Sequence, residues 1–303
     1  MSSKKKGWTF SRWTPHEKST WAYQVFKKYD EQITKNIWAF QPIPSFIYKT
    51  LKNKGAEWSD LPSAHMNFLN GKFLIYKNMK EWSDSFDNFT RWAMLNTLMA
   101  ISSNFETFLD NVITLAILSD PGVIVGASKS IDGMLLLKKG STRNYDLKVV
   151  VTNCVKGDWN SRWMNIHKLF PNIPDTISKT TSDLEYLRKI RNDIGHSYGR
   201  NLEETREITK KAILPFHNVD IQKVNKIQKL VRKIAKEVDL YLLNNHIGEF
   251  QFLNLYHSMY PKMNKTCHHG IRAKELKKAI GRSGVSCVSD DNCKQIVKFY
   301  ESL

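Results

Sequence analysis

The residues best suited to chemistry lie in the stretch 191–198, whose sequence is RNDIGHSY. Its arginine, Arg191, is a permanent cation whose planar guanidinium can hold a phosphate through two hydrogen bonds. Its histidine, His196, is of the residue type that most often transfers protons in enzymes near neutral pH. No cluster of carboxylates accompanies them. The pattern therefore indicates phosphodiester chemistry that needs no metal ion and no cofactor.

The spacing of this pair does not identify a site by itself, because Arg162 and His167 have the same offset. The neighbouring residues distinguish the two pairs. Around Arg191 an Asn follows the Arg, a Gly precedes the His, and a Tyr lies two residues beyond it. Around Arg162 a bulky Trp follows the Arg and an Ile precedes the His. We interpret the second pair as part of an amphipathic helix, with Arg162 as a candidate RNA-binding residue in a basic groove.

The pattern Arg-Asn-x-x-x-His, in a helix that follows a long apolar helix, resembles the HEPN superfamily of helical ribonuclease domains. With Tyr198 included, it is similar to HEPN toxins that pair with minimal nucleotidyltransferase antitoxins. The wide spacing before the motif is closer to a longer HEPN branch found in bacterial defence proteins. The resemblance covers roughly residues 82–260. It implies an all-α, HEPN-like helical bundle at 81–262. The flanking residues match no family, and there we expect helical extensions, an N-terminal one at 1–80 and a C-terminal tail at 263–303 that ends in a short helix.

The resemblance also implies a function, a metal-independent endoribonuclease in a toxin or anti-phage defence role. His196 would take the proton of a ribose 2′-hydroxyl or protonate the departing 5′-oxygen, while Arg191 would neutralise the charge that builds on phosphorus. The products would be a 2′,3′-cyclic phosphate and a 5′-hydroxyl. The implied partners are RNA (tRNA is one candidate), a second copy of the chain, and an antitoxin or defence protein. The alternative is a HEPN-like dimer that binds nucleic acid or a partner without cutting.

Helical geometry limits how Arg191 and His196 can meet. Five residues apart in a regular helix, the two side chains point about 140° away from each other. Either the helix unwinds at Gly195, or two copies of the chain face each other and share one site. The resemblance implies the second arrangement, a two-fold homodimer with a composite active site.

Four further residues are candidate supports of this site, and each has a plain structural alternative. Asn192 would orient the Arg191 guanidinium or cap a neighbouring carbonyl group. Asp193 would tune the charge of His196 or simply be solvated. Tyr198 would pack near the cleft or, by the resemblance, accept a nucleotide that blocks it. Glu106 would orient Arg191 or be solvated.

The elements that must position the motif are predicted from apolar spacing. A long helix is predicted from about 82 to 119, because apolar residues recur there at three- and four-residue steps. Ser182 and Glu185 form a capping-box pattern at the start of the motif helix. Asp220 is a good cap for a last long helix. The apolar face of that helix is predicted from Val224, Ile227, Val231, Ile234, Val238 and Tyr241. On that helix Lys223, Lys226, Arg232 and Lys233 are candidate contacts to an RNA backbone, or a solvated basic face.

Other parts of the sequence allow more than one interpretation. Residues 123–151 allow a short strand or hairpin as well as a pair of helices. The cysteines are few and irregularly spaced, which favours a reducing compartment. A possible set of metal ligands is Cys267, His268, His269, Cys287 and Cys293, but its spacing matches no standard zinc pattern. The tryptophans among lysines near the amino end fit a small helical core, or stacking on unpaired bases.

Composition narrows the class of partner. The chain has 303 residues and a net charge of +17, and this strongly basic balance favours a polyanion such as nucleic acid. No apolar run is long enough to cross a membrane. The basic amino terminus is not followed by the apolar run of a secretory signal. We therefore expect a soluble cytoplasmic protein with no membrane partner.

Overall fold

The computed structural model describes residues 10–68, 75–140, 147–207, 214–282 and 288–303. Every regular element in these ranges is helical, which confirms the all-α prediction. The α-helices are α1 (Trp21–Phe40), α2 (Ile43–Asn53), α3 (Met79–Ser119), α4 (Gly133–Lys138), α5 (Leu147–Val155), α6 (Trp159–Leu169), α7 (Thr176–Lys179), α8 (Thr181–Ser197), α9 (Leu202–Thr205), α10 (Ile221–Leu242), α11 (Phe250–Met259), α12 (His269–Arg282) and α13 (Asp290–Ser302). Short 3-10 helices cover Pro62–Ala64, Pro121–Val125 and Tyr260–Lys262, and Leu243–Ile247 is a π-helical turn.

The chain forms two compact units, each assembled from segments far apart in sequence. Unit 1 contains Met1–Lys27, Phe105–Thr181 and Arg232–Leu303. Unit 2 contains Lys28–Asn104 and Ser182–Val231. The expected division into 1–80, 81–262 and 263–303 stays a prediction, as does the HEPN-like character of the bundle.

The long helix predicted at 82–119 is confirmed as α3, which begins three residues earlier, at Met79. Its predicted apolar stripe is almost entirely buried. Each fully buried Val, Leu or Phe side chain of the stripe stabilises the fold by about 1.5–3 kcal/mol. The fully buried members are Leu95, Leu98, Phe105, Leu109, Val112 and Ala116. The helix ends before Pro121, which starts a 3-10 helix, as the Asp-Pro-Gly sequence predicts.

The motif helix α8 packs in unit 2 with one side buried. Leu184, Leu187 and Ile190 are buried at three-residue steps, which leaves the opposite side of α8 for polar residues. The first turn starts at Thr181, and the Glu185 carboxylate accepts hydrogen bonds from Arg188. Ser182 therefore lies inside the first turn, and Glu185 forms an i,i+3 ion pair with Arg188. The capping-box contact between Ser182 and Glu185 stays a prediction.

Helix α10 begins as predicted, because the Asp220 carboxylate accepts a hydrogen bond from the backbone N–H of Lys223 at 2.7 Å. Its predicted apolar face is confirmed. The buried members are Val224, Ile227, Val231, Ile234 and Val238. A polar contact joins α10 to α1 within unit 2, where Gln228 Nε2 donates to Asp30 Oδ1 at 2.8 Å.

Residues 123–151 contain no strand in their described part, so the strand or hairpin alternative is wrong there. Gly133–Lys138 forms α4, and the run that starts at Leu147 forms α5. The valines of this run continue into Val151 and Cys154, both buried and three residues apart. That spacing fits one side of a helix, and it outweighs the β-propensity of valine.

The C-terminal residues fold as two helices, α12 and α13, that contact each other in unit 1. Arg272 on α12 binds the Glu301 carboxylate on α13 through two hydrogen bonds of 2.7 and 2.8 Å. None of the described helices combines the length and the apolarity that a membrane crossing requires.

Candidate functional site

Helix α8 continues without a break through Gly195 and ends at Ser197. The alternative in which the helix unwinds at Gly195 is therefore wrong. Gly195 is exposed, and apart from its chain neighbours and the backbone of α8 itself no atom lies within 4 Å of a Cβ added there, so the position accepts a regular helix. The side chains of Arg191 and His196 thus leave one continuous helix about 140° apart.

The two motif side chains differ in their surroundings. Arg191 is half-buried, and its Nη1 donates to Asn192 Oδ1 at 3.2 Å. This contact is the one expected if Asn192 orients the guanidinium. His196 is exposed in the last turn of the helix, where it can meet a ligand or another chain.

The Asp193 carboxylate is bound within unit 2 rather than solvated. Its Oδ2 lies 2.7 Å from Nε2 of His217, and its Oδ1 accepts a hydrogen bond of 3.3 Å from the Leu202 backbone N–H. The solvated alternative for Asp193 is therefore wrong. An effect of this carboxylate on His196 stays a prediction, while its contacts hold the segments that follow α8 against the helix.

A tight turn ends α8 directly after the motif. Tyr198 and Gly199 both have positive φ, 56° and 79°, which is uncommon for a residue with a side chain. The Gly199 backbone N–H donates to the Asp193 carbonyl oxygen at 3.0 Å, and the His217 N–H donates to the Gly199 carbonyl oxygen at 3.1 Å. The positive φ of Gly199 favours glycine there, and an added Cβ would also lie 2.9 Å from Leu95 Cδ1.

The turn places Tyr198 in a row of aromatic side chains. Its ring centroid lies 6.4 Å from that of Trp92 and 5.5 Å from that of Phe216. Phe89 extends the row, 5.9 Å from Trp92. The Arg200 guanidinium carbon lies 5.2 Å from the Tyr198 centroid and 4.4 Å from the Phe216 centroid. We call these four rings with Arg200 the aromatic row; its Tyr198 side chain is 59% exposed.

The prediction that Arg162 binds RNA is wrong. The residue is only 4% exposed. Its Nη1 donates to Glu106 Oε1 at 3.1 Å, its Nε donates to the Gly157 carbonyl oxygen at 3.0 Å, and its guanidinium lies over the Trp159 ring. A guanidinium held in this way within unit 1 cannot neutralise a phosphate from solvent. The Glu106 carboxylate is the ion-pair partner of Arg162. The predicted effect of Glu106 on Arg191 stays a prediction.

The basic residues of α10 differ in exposure. Lys226 and Lys233 are exposed, whereas Lys223 and Arg232 are half-buried. Lys223 Nζ lies 4.5 Å from the Tyr186 ring centroid, and Nζ of both Lys223 and Lys226 lies about 4 Å from Asp183 Oδ1. These loose pairs are exchangeable for a phosphate, so the RNA-contact prediction for α10 stays open to test.

Sequence reasoning missed His217, Arg200 and the aromatic neighbours of Tyr198. His217 lies 24 residues after Asp193, and no pattern in the chain joins the two. A weaker signal was available for Arg200, which lies two residues after Tyr198 in the sequence, but only the fold shows that its guanidinium lies over the rings of Tyr198 and Phe216.

Among the described residues, no group of three or more His, Cys, Asp or Glu side chains is placed to hold a metal ion. Cys287 of the possible ligand set lies outside the described residues. Comparisons with protein-family models, with curated proteins and with solved structures found no match for the chain.

Proposed function

We propose that the chain is a metal-independent endoribonuclease that acts as a two-fold dimer. The observation that carries the proposal is the unbroken course of α8, which holds Arg191 and His196 on one rigid element but on different sides of it. One copy cannot direct both groups at one phosphate, whereas two copies related by a two-fold axis can supply them in pairs.

In the proposed reaction the 2′-oxygen of a ribose forms a bond to phosphorus while the bond from phosphorus to the 5′-oxygen breaks. His196 takes the 2′-hydroxyl proton, or a histidine in the protonated state gives a proton to the departing 5′-oxygen. Arg191, steadied by Asn192, neutralises the negative charge that builds on the non-bridging oxygens. The products are a 2′,3′-cyclic phosphate and a 5′-hydroxyl, and no redox step or metal ion is needed.

The aromatic row favours single-stranded RNA as the substrate. The exposed Tyr198 follows His196 by two residues and lies beside Trp92 and Phe216, with Arg200 over two of the rings. Unpaired bases stack on such surfaces, and each stacked base contributes roughly 1–3 kcal/mol. The chain's net charge of +17 supports binding to the RNA backbone.

The chain offers a matched control for the test of this proposal. His196→Ala and Arg191→Ala should each lower the cleavage rate on the order of 10²- to 10⁴-fold, because each removes a group that acts in the transition state. His167→Ala removes an exposed histidine at the same offset from an arginine, and it should cut at the wild-type rate. Cleavage of total RNA is followed on denaturing gels in the presence of EDTA, and the product ends are identified by mass spectrometry.

Three results would contradict the proposal. They are cleavage by His196→Ala at the wild-type rate, loss of cleavage on adding EDTA, and a 3′-hydroxyl at the product ends. If the wild type binds RNA tightly and cuts none, the chain is a non-catalytic nucleic-acid-binding module.

A further inference from the structure

A second polar site lies in unit 1, in a cavity of about 310 Å³. This volume is at the lower end of the range of about 300–1,000 Å³ that is usual for small-molecule sites. The cavity opens to solvent between the end of α6, the turn after the 3-10 helix Pro121–Val125, and the π-helical turn. The polar residues of its lining are Ser128, Lys129, Lys168, Asn172, Tyr241, Asn245 and His246.

The floor of the cavity is a closed network around Asp120, whose side chain is fully buried. Asp120 Oδ2 accepts hydrogen bonds from Ser128 Oγ at 2.6 Å and from His246 Nδ1 at 2.9 Å. Asp120 Oδ1 accepts from the Lys129 backbone N–H at 2.7 Å. Burial raises the pKa of Asp120, but these three hydrogen bonds outweigh it and hold that pKa below its usual value.

The contacts of Asp120, Ser128 and His246 are not those of a hydrolytic catalytic triad. In a catalytic triad the histidine joins the serine to the carboxylate, one ring nitrogen to each. Here Ser128 Oγ and His246 Nδ1 both donate to the same oxygen of Asp120, and Ser128 Oγ lies 3.5 Å from that same ring nitrogen. The serine proton is directed at the carboxylate, so His246 has no path to activate the hydroxyl group.

Two unusual backbone conformations converge on the cavity. Lys129 has a φ of 61°, in the left-handed region that a residue with a side chain seldom adopts. Residues Leu243–Ile247 widen into a π-helical turn, a rare form that is often found at functional sites. The Ser119 hydroxyl fixes this turn from inside, since it donates to the His246 carbonyl oxygen at 2.6 Å. Such costly conformations persist where surrounding contacts impose them.

The charges facing the cavity select an anion. Lys129 and Lys168 line the cavity as two cations, and Lys129 Nζ also lies 5.4 Å from the centroid of the Trp13 ring. Asn172, Tyr241 and Asn245 are neutral polar residues of the lining, and Asn245 Nδ2 already donates one hydrogen bond to the Tyr241 carbonyl oxygen at 2.9 Å. The Asp120 carboxylate beneath them is fully buried and already accepts three hydrogen bonds. A dianion with several acceptor oxygens fits this set better than a neutral or cationic ligand. The space is much larger than a phosphate ion, and Val123, Leu169 and Pro171 line its apolar part.

We infer that this cavity binds a small organic phosphate monoester, of about the size of a nucleoside monophosphate. The phosphate group lies between Lys129 and Lys168, and the organic part lies against the apolar wall and Tyr241. The site is independent of RNA cleavage, because none of its residues belongs to the motif on α8.

Isothermal titration calorimetry of the full chain tests the inference, with AMP, inorganic phosphate and adenosine as separate probes. AMP should bind one molecule per chain, inorganic phosphate should bind more weakly, and adenosine should bind at least tenfold more weakly than AMP. Adenosine binding as tight as AMP, phosphate binding as tight as AMP, or no heat with AMP at millimolar concentration would overturn it.

Two exposed lysines provide the matched variants. Lys168→Ala removes a cation at the cavity and should weaken AMP binding about tenfold or more, as expected for the loss of a charge-assisted hydrogen bond. Lys156→Ala removes the same charge from an exposed position that does not line the cavity, and its AMP affinity should equal that of the wild type. Equal weakening in both variants would reduce the effect to net charge and overturn the assigned site. RNA cleavage, measured separately, should be the same in both variants.

Discussion

Asp193 Oδ2 lies 2.7 Å from Nε2 of His217, and this contact fastens the segment that precedes α10 to the motif helix α8. The pair is mostly buried, with 15% of the Asp193 side chain and 29% of the His217 side chain exposed. A second contact, from the Leu202 backbone N–H to Asp193 Oδ1, adds the start of α9 to the same anchor. One carboxylate thus holds the chain on both sides of the residues 208–213.

The first prediction follows from this anchor. Asp193→Ala should lower the free energy of unfolding by about 1–3 kcal/mol, because it removes two hydrogen bonds and leaves the His217 ring nitrogen without its acceptor. Asp175→Ala is the control, since it deletes a surface i,i+4 pair with Lys179 and should cost less than about 0.5 kcal/mol. Urea unfolding at pH 7 measures both. Equal losses in the two variants would show that the Asp193 contacts add no more than a surface pair.

The second prediction concerns the shared site. If Arg191 comes from one copy and His196 from the other, a mixed dimer of Arg191→Ala and His196→Ala chains keeps one intact pair of groups. Random assortment makes half of the dimers mixed, so mixing two inactive proteins should restore about one quarter of the wild-type cleavage rate. Co-expression with two affinity tags isolates the mixed dimer. A mixed dimer as inactive as its parents would place both groups of each site in a single chain.

The third prediction concerns Tyr198 as a surface for bases. In a His196→Ala background, which binds without cutting, Tyr198→Ala should weaken binding of a single-stranded oligoribonucleotide by roughly 1–3 kcal/mol. Tyr198→Phe keeps the ring and should bind like the parent protein. Fluorescence anisotropy at fixed salt measures the affinities. A loss in Tyr198→Phe equal to that in Tyr198→Ala would assign the effect to the hydroxyl group and not to stacking.

Most of the fold that could be predicted from the sequence came from the periodic spacing of apolar residues. The stripes of α3 and α10 repeat over many turns, and both were predicted with the correct face, because long amphipathic patterns override local exceptions. Short apolar runs were harder, since the valines of α5 fit a strand and a helix equally until Val151 and Cys154 are seen buried on one side.

The candidate site was predictable only where it is local in sequence. Arg191, Asn192 and His196 stand within one helix, whereas the Asp193–His217 contact joins residues that no spacing rule connects. The burial of Arg162 depends on Glu106, which lies 56 residues away. The sequence alone does not show whether an arginine such as Arg162 is free to bind a ligand, because its ion-pair partner is known only from the fold. The alternative of a helix break at Gly195 depended on the presence of a glycine between Arg191 and His196, and the positive φ values occur instead at Tyr198 and Gly199.

The fourth prediction separates these two glycines. Gly195 lies inside α8 in open space, so Gly195→Ala should raise the free energy of unfolding by about 0.5–1 kcal/mol through helix propensity. Gly199 has a φ of 79°, and its added Cβ would approach Leu95 Cδ1 to 2.9 Å. Gly199→Ala should therefore lower the free energy by about 1–3 kcal/mol. The same unfolding measurements test both, and a destabilising Gly195→Ala would mean that the helix is not continuous there.

The fifth prediction concerns pH and a buried acid in unit 1. Burial raises the pKa of Glu249 to about 7, against the hydrogen bond from the His16 backbone N–H, which lowers it. The folded chain therefore binds a proton here that the unfolded chain has released. The stability that Glu249 contributes is complete below a pH of about 4.5, the ordinary value for this acid, and is lost as the pH rises through about 7.

Glu249→Gln keeps the shape of the side chain but removes this titration. As the pH rises from 5 to 8, the free energy of unfolding of the variant should therefore increase relative to that of the wild type, by an amount on the order of 2 kcal/mol. Melting temperatures measured across this pH range should show the same trend. Asp239, whose pKa burial raises to about 6, is present in both proteins and cancels in the difference. Glu275→Gln, at an exposed position, is the control and should give a flat difference. A flat difference for Glu249→Gln as well would mean that the folded chain holds Glu249 ionised at neutral pH, with its charge compensated inside unit 1.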